Sequence, residues 1–143
     1  MHARRLYYSE ALVEYPLTVL PSFADYLDVA EAKLVRDIWQ LIATTMIEFM
    51  GLGAEQGLET RGIVIQQLDW FDTLLEDGRD YLIGDTLTRV DISVASLLAP
   101  LVSAPGHPTY ANLQVPPRFA LDLAEWQSRP ISQFVARMYQ RHR

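Results

Sequence analysis

The sequence predicts an all-α fold, a helical bundle of about five helices, and three observations predict it. Apolar residues recur at the helical period from about residue 29 onward. Helix starts are marked by a threonine–aspartate cap and by first-turn prolines, and helix ends by glycines. No two stretches alternate convincingly with the period of two that a pair of β-strands needs.

With 143 residues there is room for one domain with a proper core and little room for two. Half of the residues are hydrophobic, which favours a folded state over disorder. The formal charge of -6 argues against a nucleic-acid surface, which needs a clustered excess of Lys and Arg. The absence of cysteine excludes a disulfide framework, a thiolate metal site and a cysteine nucleophile. Arg4 and Arg5 are followed by Glu10 and Glu14, so the N-terminus lacks the apolar core of a signal peptide. The longest apolar run, 94–102, contains Ser96 and Pro100 and falls far short of the ~20 residues that span a bilayer. The expectation is a soluble, cytoplasmic protein that contacts neither nucleic acid nor membrane. Eleven of the twelve basic residues are Arg, a bias that points to a GC-rich, bacterial-like genome.

Residues 1–28 are expected to form an arm packing on a bundle of 29–143. Leu6, Tyr7, Tyr8, Leu12, Val13, Tyr15, Leu17, Val19 and Leu20 are aromatic, aliphatic or β-branched, but Pro16 and Pro21 interrupt any long helix or central strand. From about Val29 to Met50 the pattern is helical, with Leu34, Ile38, Leu41, Ile42, Thr45 and Phe49 on one side. Lys33, Arg36, Asp37, Gln40, Thr44 and Glu48 fall on the other. The apolar arc spans about 200°, wider than the ~100° stripe that covers one core face. Its surplus edge, Trp39, Ala43, Met46 and Met50, therefore needs a partner.

Gly51, Gly53 and Gly57 then form a loop. A helix from about Glu59 to Leu75 follows, with Ile63, Val64, Leu68, Phe71, Leu74 and Leu75 inward, giving an antiparallel pair with the first. Six acidic residues between Asp69 and Asp85 stand against Arg79 alone and read as a solvated face. Next, Thr88 and Asp91 hold the N-cap and N3 positions of a capping box, and Leu87 and Ile92 those of a hydrophobic staple. The helix they start is apolar on nearly every side, as a helix enclosed by others is. A proline-rich loop spans 104–117, and Pro116 and Pro117 suit the first turn of a helix over about 118–127. The last helix starts near Pro130 and places Ile131, Phe134, Val135, Met138 and Tyr139 inward. Arg137, Arg141 and Arg143 meet the negative end of its dipole.

Tyr81, Leu82, Gly84 and Asp85, followed by Leu87, Thr88, Asp91, Ile92 and a helix of small and apolar residues, resemble the signature of the C-terminal helical domain of the glutathione S-transferase superfamily. The resemblance implies that these residues serve folding, while glutathione binding and catalysis belong to a separate thioredoxin-like domain. Because helical pattern begins near residue 29, no thioredoxin-like domain is expected in these residues. The chain is then a helical domain cut from a longer protein, or a standalone relative. It would be the substrate-side half of a glutathione S-transferase-like protein, not catalytically complete alone, with glutathione as cofactor only when a thioredoxin-like domain is supplied. Two alternatives stand beside this: a non-catalytic helical interaction or dimerisation module, whose partner is a second copy, and a binder of a small apolar ligand. In the resembled enzymes the first long helix walls the co-substrate pocket. By that analogy Trp39, Met46 and Met50, with Tyr8 and Tyr15, are the candidate pocket or interface residues. The competing expectation is that the tyrosine-rich arm covers them as ordinary core.

No catalytic residue and no metal ligand set is expected. His2, His107 and His142 are far apart in sequence and read as surface histidines. Ser93, Ser96 and Ser103 lack a Gly-x-Ser-x-Gly elbow and read as small packing residues.

Overall fold

The computed structural model describes residues 2–102, 104, 107 and 114–142. Among these residues all regular structure is helical, with no strand: α1 (His2–Glu14), α2 (Pro16–Val19), α3 (Pro21–Ala24), α4 (Val29–Asp37), α5 (Trp39–Met50), α6 (Ala54–Leu74), α7 (Arg89–Val102), α8 (Pro117–Trp126) and α9 (Pro130–His142). None of them is long and apolar enough to cross a membrane. Most of the proline-rich connection, with Ser103, Pro105, Gly106 and Pro108, lies outside the described residues, as does Arg143.

The stretch that sequence leaves least legible lies at the middle of the molecule. Helix α1 packs on α6 and also touches α2, α5, α7 and α8. Its inner face is Leu6, Tyr7, Ser9, Glu10, Ala11 and Leu12. Two polar residues interrupt the apolar period there, which is why the helix does not announce itself. Helix α6 takes α1, not α5, as its main neighbour, so the antiparallel pair expected of 29–50 and 59–75 does not form. Gly57 fits this arrangement. It lies inside α6 rather than in a loop, and a Cβ there would sit 3.1 Å from the Ser9 Cβ. That is tighter than an ordinary carbon–carbon contact, so a residue without a side chain eases the approach of α1 to α6. At the other end of the loop Gly51 closes α5 in the left-handed conformation, φ 56°, and its carbonyl accepts from Arg5 Nη2 at 3.0 Å.

Three carboxylates place the rest. Asp91 is 0% exposed. Its Oδ2 accepts from the Thr88 amide at 2.7 Å and from the Thr88 hydroxyl at 2.6 Å, and its Oδ1 accepts from the Leu82 amide at 2.7 Å. The carboxylate thus does the work shared out in a reciprocal capping box, and it also ties down the turn before the helix. Burial pushes the Asp91 carboxyl up, but the Thr88 hydroxyl and the Leu82 and Thr88 amides outweigh burial and hold it below the usual carboxylate range.

Helix α8 has no side-chain cap of its own, since its N-cap is Pro116. Glu10 of α1 substitutes for one: Oε1 accepts from the Arg118 amide at 2.9 Å and Oε2 from the Phe119 amide at 2.7 Å. These are the second and third helical amides, the ones an N-cap side chain takes. In the same way Asp72 of α6 accepts from the Ile131 amide of α9 at 2.9 Å and from Arg129 Nε at 2.7 Å.

Helix α7 is not enclosed on all sides. Asp91, Ala95, Ala99 and Leu101 are buried, against α9, α1 and α8, while Val90, Ile92 and Leu97 are exposed. The expected pattern holds better at α9, where Ile131, Phe134, Val135 and Met138 are all buried.

Glu10→Ala leaves two inward amides of α8 without an acceptor and is expected to cost about 2 to 4 kcal/mol in urea unfolding. Glu14→Ala, which removes only the solvent-side partner of Arg118, is expected to cost under about 1 kcal/mol. Equal losses would show that the α8 cap is not supplied by Glu10. For Asp91 the folded-state carboxyl titrates below its unfolded value, so the unfolded chain takes up the proton first as pH falls. Its contribution is therefore complete above about pH 4 and is lost on further acidification. Asp91→Asn is expected to lower stability at neutral pH and to flatten the acid limb of stability against pH.

Candidate functional site

Helices α4 and α5 are the part of the molecule where burial and apolar pattern disagree most. Asp28 caps α4, accepting from the Ala30 and Glu31 amides at 2.9 Å each. The two helices meet at Ile38, whose amide still reaches the Leu34 carbonyl at 3.1 Å, so the chain turns slightly without losing its helical phase. Trp39 is 4% exposed and Ala43 is buried. The indole Nε1 donates to the Pro16 carbonyl at 3.1 Å, and the Phe23 ring lies 5.5 Å away. The short helices α2 and α3 therefore close over this edge, and α1 supports it from the side.

Of the side read from the helical period, Ile42 packs partly buried against the core, and the rest points to solvent. Leu34 is 57% exposed, Leu41 67% and Phe49 90%, with Ile38 also exposed between them. Leu41 stands two residues from both Trp39 and Ala43, roughly 200° around the helix, so one side can be buried only by exposing the other. Periodicity identified a wide apolar arc whose Trp39 edge needs a partner, and residues of the N-terminal segment supply it, as the expectation of ordinary core has it for Trp39. The edge described as surplus is the one the fold buries.

The five candidate pocket residues do not converge on a cavity. Trp39 is core. Tyr8 and Met46 are partly buried against the core, Met50 is half-buried, and Tyr15 is exposed. Burial holds the Tyr8 hydroxyl above its usual range, although Arg4 pulls it down. Leu87 and Ile92 of the staple are both exposed and line a common cavity with α9.

The acidic stretch 69–85 is not a free negative patch. Arg129 bonds Asp69 and Asp72, Arg141 bonds Asp80 at 3.0 Å, and Arg79 bonds Asp77, whose carboxyl it draws down to about 2. Two of these arginines come from α9 or the turn before it, so part of the basic tail answers the acidic stretch across the bundle. A second tie joins α6 to α8: Arg61 Nε donates to Asp122 at 2.7 Å, and the guanidinium lies 5.8 Å from the Trp126 ring centre. Among the described residues no group of three or more His, Asp or Glu side chains is placed to hold a metal ion.

The two edges of α5 are expected to respond differently to truncation. Trp39→Phe removes the bond to the Pro16 carbonyl and should cost about 0.5 to 1.5 kcal/mol. Leu41→Ala, on the exposed edge, should stay within about 0.5 kcal/mol of the parent chain in dilute solution. A larger loss at Leu41 than at Trp39 in thermal or urea unfolding would reverse the assignment of faces.

Comparison of the chain with family models, with curated proteins and with solved structures finds no match in any of the three.

Proposed function

We propose that this chain is a helical domain of the glutathione S-transferase C-terminal kind that works as an interaction module, pairing with a second copy through α4 and α5. The observation that carries the reading is the exposed apolar row Leu34, Ile38, Leu41 and Phe49. Exposed side chains scattered singly need no explanation, but a contiguous row along one face marks an interaction surface. With Thr45, the spacings of four, three, four and four residues form a seam of the sort that packs against another helix.

The seam is apolar along its length and can be self-complementary, which favours a second copy as the occupant. Lys33 and Arg36 stand at its start, ion-paired with Asp37 and Asp25, and Glu48 near its end. An antiparallel pair centred on Leu41 lays the apolar row of one copy against the same row of the other, so that one surface serves both partners.

The arrangement around Asp91 supports the fold half of the proposal. Tyr81, Leu82, Gly84 and Asp85 lead into Thr88 and Asp91, and the carboxylate binds both the Leu82 turn and the helix start. That is the folding role the resemblance implies for these residues. It also favours a second reading, in which a thioredoxin-like domain occupies an apolar face of this domain and supplies the glutathione site. The two readings differ in the occupant and in the ligand.

Sedimentation equilibrium of the wild-type chain and of Leu41→Lys with Phe49→Lys separates them. The expected result is a concentration-dependent dimer that the double variant abolishes while circular dichroism stays unchanged. A wild-type chain that remains monomeric at all concentrations overturns the self-pairing. Calorimetric binding of glutathione to the chain by itself would contradict the assignment of that site to a thioredoxin-like domain.

A further inference from the structure

A second feature, built from none of the α4 and α5 residues, lies between α7 and α9. Ile92, Ala95 and Ser96 fall on one face of α7, at the spacing that brings consecutive turns together. Met138, Tyr139 and His142 do the same on α9. The two faces do not close on each other. They leave a cavity of about 360 Å³, within the range of small-molecule sites.

The walls of this cavity are chemically sorted. Leu87, Ile92, Ala95 and Met138 are apolar. The polar residues among the described lining are Ser96, Tyr139, His107 and His142. His142 Nε2 lies 3.4 Å from the Tyr81 hydroxyl, and the His107 ring is 5.6 Å from that of Tyr139. Ser96 and His142 can each present an O–H or N–H donor, and no carboxylate is among the described lining residues. Two histidines that sequence places 35 positions apart therefore face the same space.

The geometry points to a binding site for a small, flat apolar or aromatic molecule that carries one carboxylate. The apolar walls take the ring, and the donors take the acceptor oxygens. A phosphate is a poorer match, because its recognition favours Arg or Lys, and neither is among the described lining residues. The nearby Arg141 is already bonded to Asp80 at 3.0 Å. This site also gives Tyr81 a role. Its hydroxyl positions His142, while the adjacent Leu82 amide anchors Asp91.

The test uses 2-naphthoate as the probe and 2-methylnaphthalene as its uncharged counterpart, followed by amide chemical shifts on the full 143-residue chain. Saturable 2-naphthoate shifts are expected at Ser96, Met138, Tyr139 and His142, with little change in α4 and α5. Ser96→Trp, which fills the cavity from an exposed position, is expected to weaken 2-naphthoate by at least about tenfold. His142→Ala is expected to weaken 2-naphthoate by roughly fivefold to tenfold and to leave the weaker 2-methylnaphthalene unchanged. The proposal is overturned by an absence of saturable shifts at these residues. Unaltered affinity in Ser96→Trp also overturns it. Equal loss of both probes in His142→Ala overturns the carboxylate assignment, because the histidine would then contribute only surface.

Discussion

The interaction on which most of the arrangement depends is a carboxylate accepting from the amides at a helix N-terminus. Each helix start leaves amides without intrahelical partners, and a start buried against other elements cannot take water instead. Here Asp91 serves α7 locally, whereas Glu10 and Asp72 reach α8 and α9 from helices far away in sequence. Because Pro117 and Pro130 open α8 and α9, the first amide is absent and the next ones decide the docking. A negative charge at a positive helix end adds to the bond itself. The bundle is therefore joined by directional contacts as well as by apolar burial, and the orientations of α8 and α9 follow from where α1 and α6 put their acids.

That joining pattern makes α1 the hub and moves the other elements accordingly. Helix α6 packs on α1, with Ser9 close to Gly57, and α5 is left to pack by one edge against α1 and the segment over Trp39. A helix held by one edge exposes the other, and in α5 both edges are apolar. The exposed seam is thus a direct consequence of which helix took the place beside α6. Helices α7 and α9 are in contact, Ala95 and Ala99 of α7 are buried, and the cavity lies alongside, with Ala95 in its wall.

Apolar periodicity made legible the all-helical class, the inner face of α9, much of α6, and the presence of an unusually wide arc on α4 and α5. Capping chemistry made Thr88 and Asp91 legible as a helix start, because a cap is specified within a few residues. The break at Ile38 was not legible, since Leu34, Ile38 and Leu41 keep one helical phase across it. The candidate residues Trp39, Met46, Met50, Tyr8 and Tyr15 were grouped by analogy and by type. In the fold the first is core, the last is solvent-exposed, and the others are partly buried.

What the sequence by itself determined is local: which stretches are helical, where α7 starts, and which arcs are apolar, all of which depend on residues within one or two turns. Tertiary structure alone decided which edge of a two-edged helix is buried, which acid caps which distant helix, and which histidines face one cavity. The physical reason is that these depend on orientation between elements. Glu10 and Phe119 are separated by 109 residues and the Asp72 and Ile131 pair by 59, so no periodicity or spacing relates them. Glu10 read only as a charge that denies the N-terminus a signal-peptide core, and Pro16 and Pro21 argued against a long helix there, so neither α1 nor the acid that reaches α8 from it was legible.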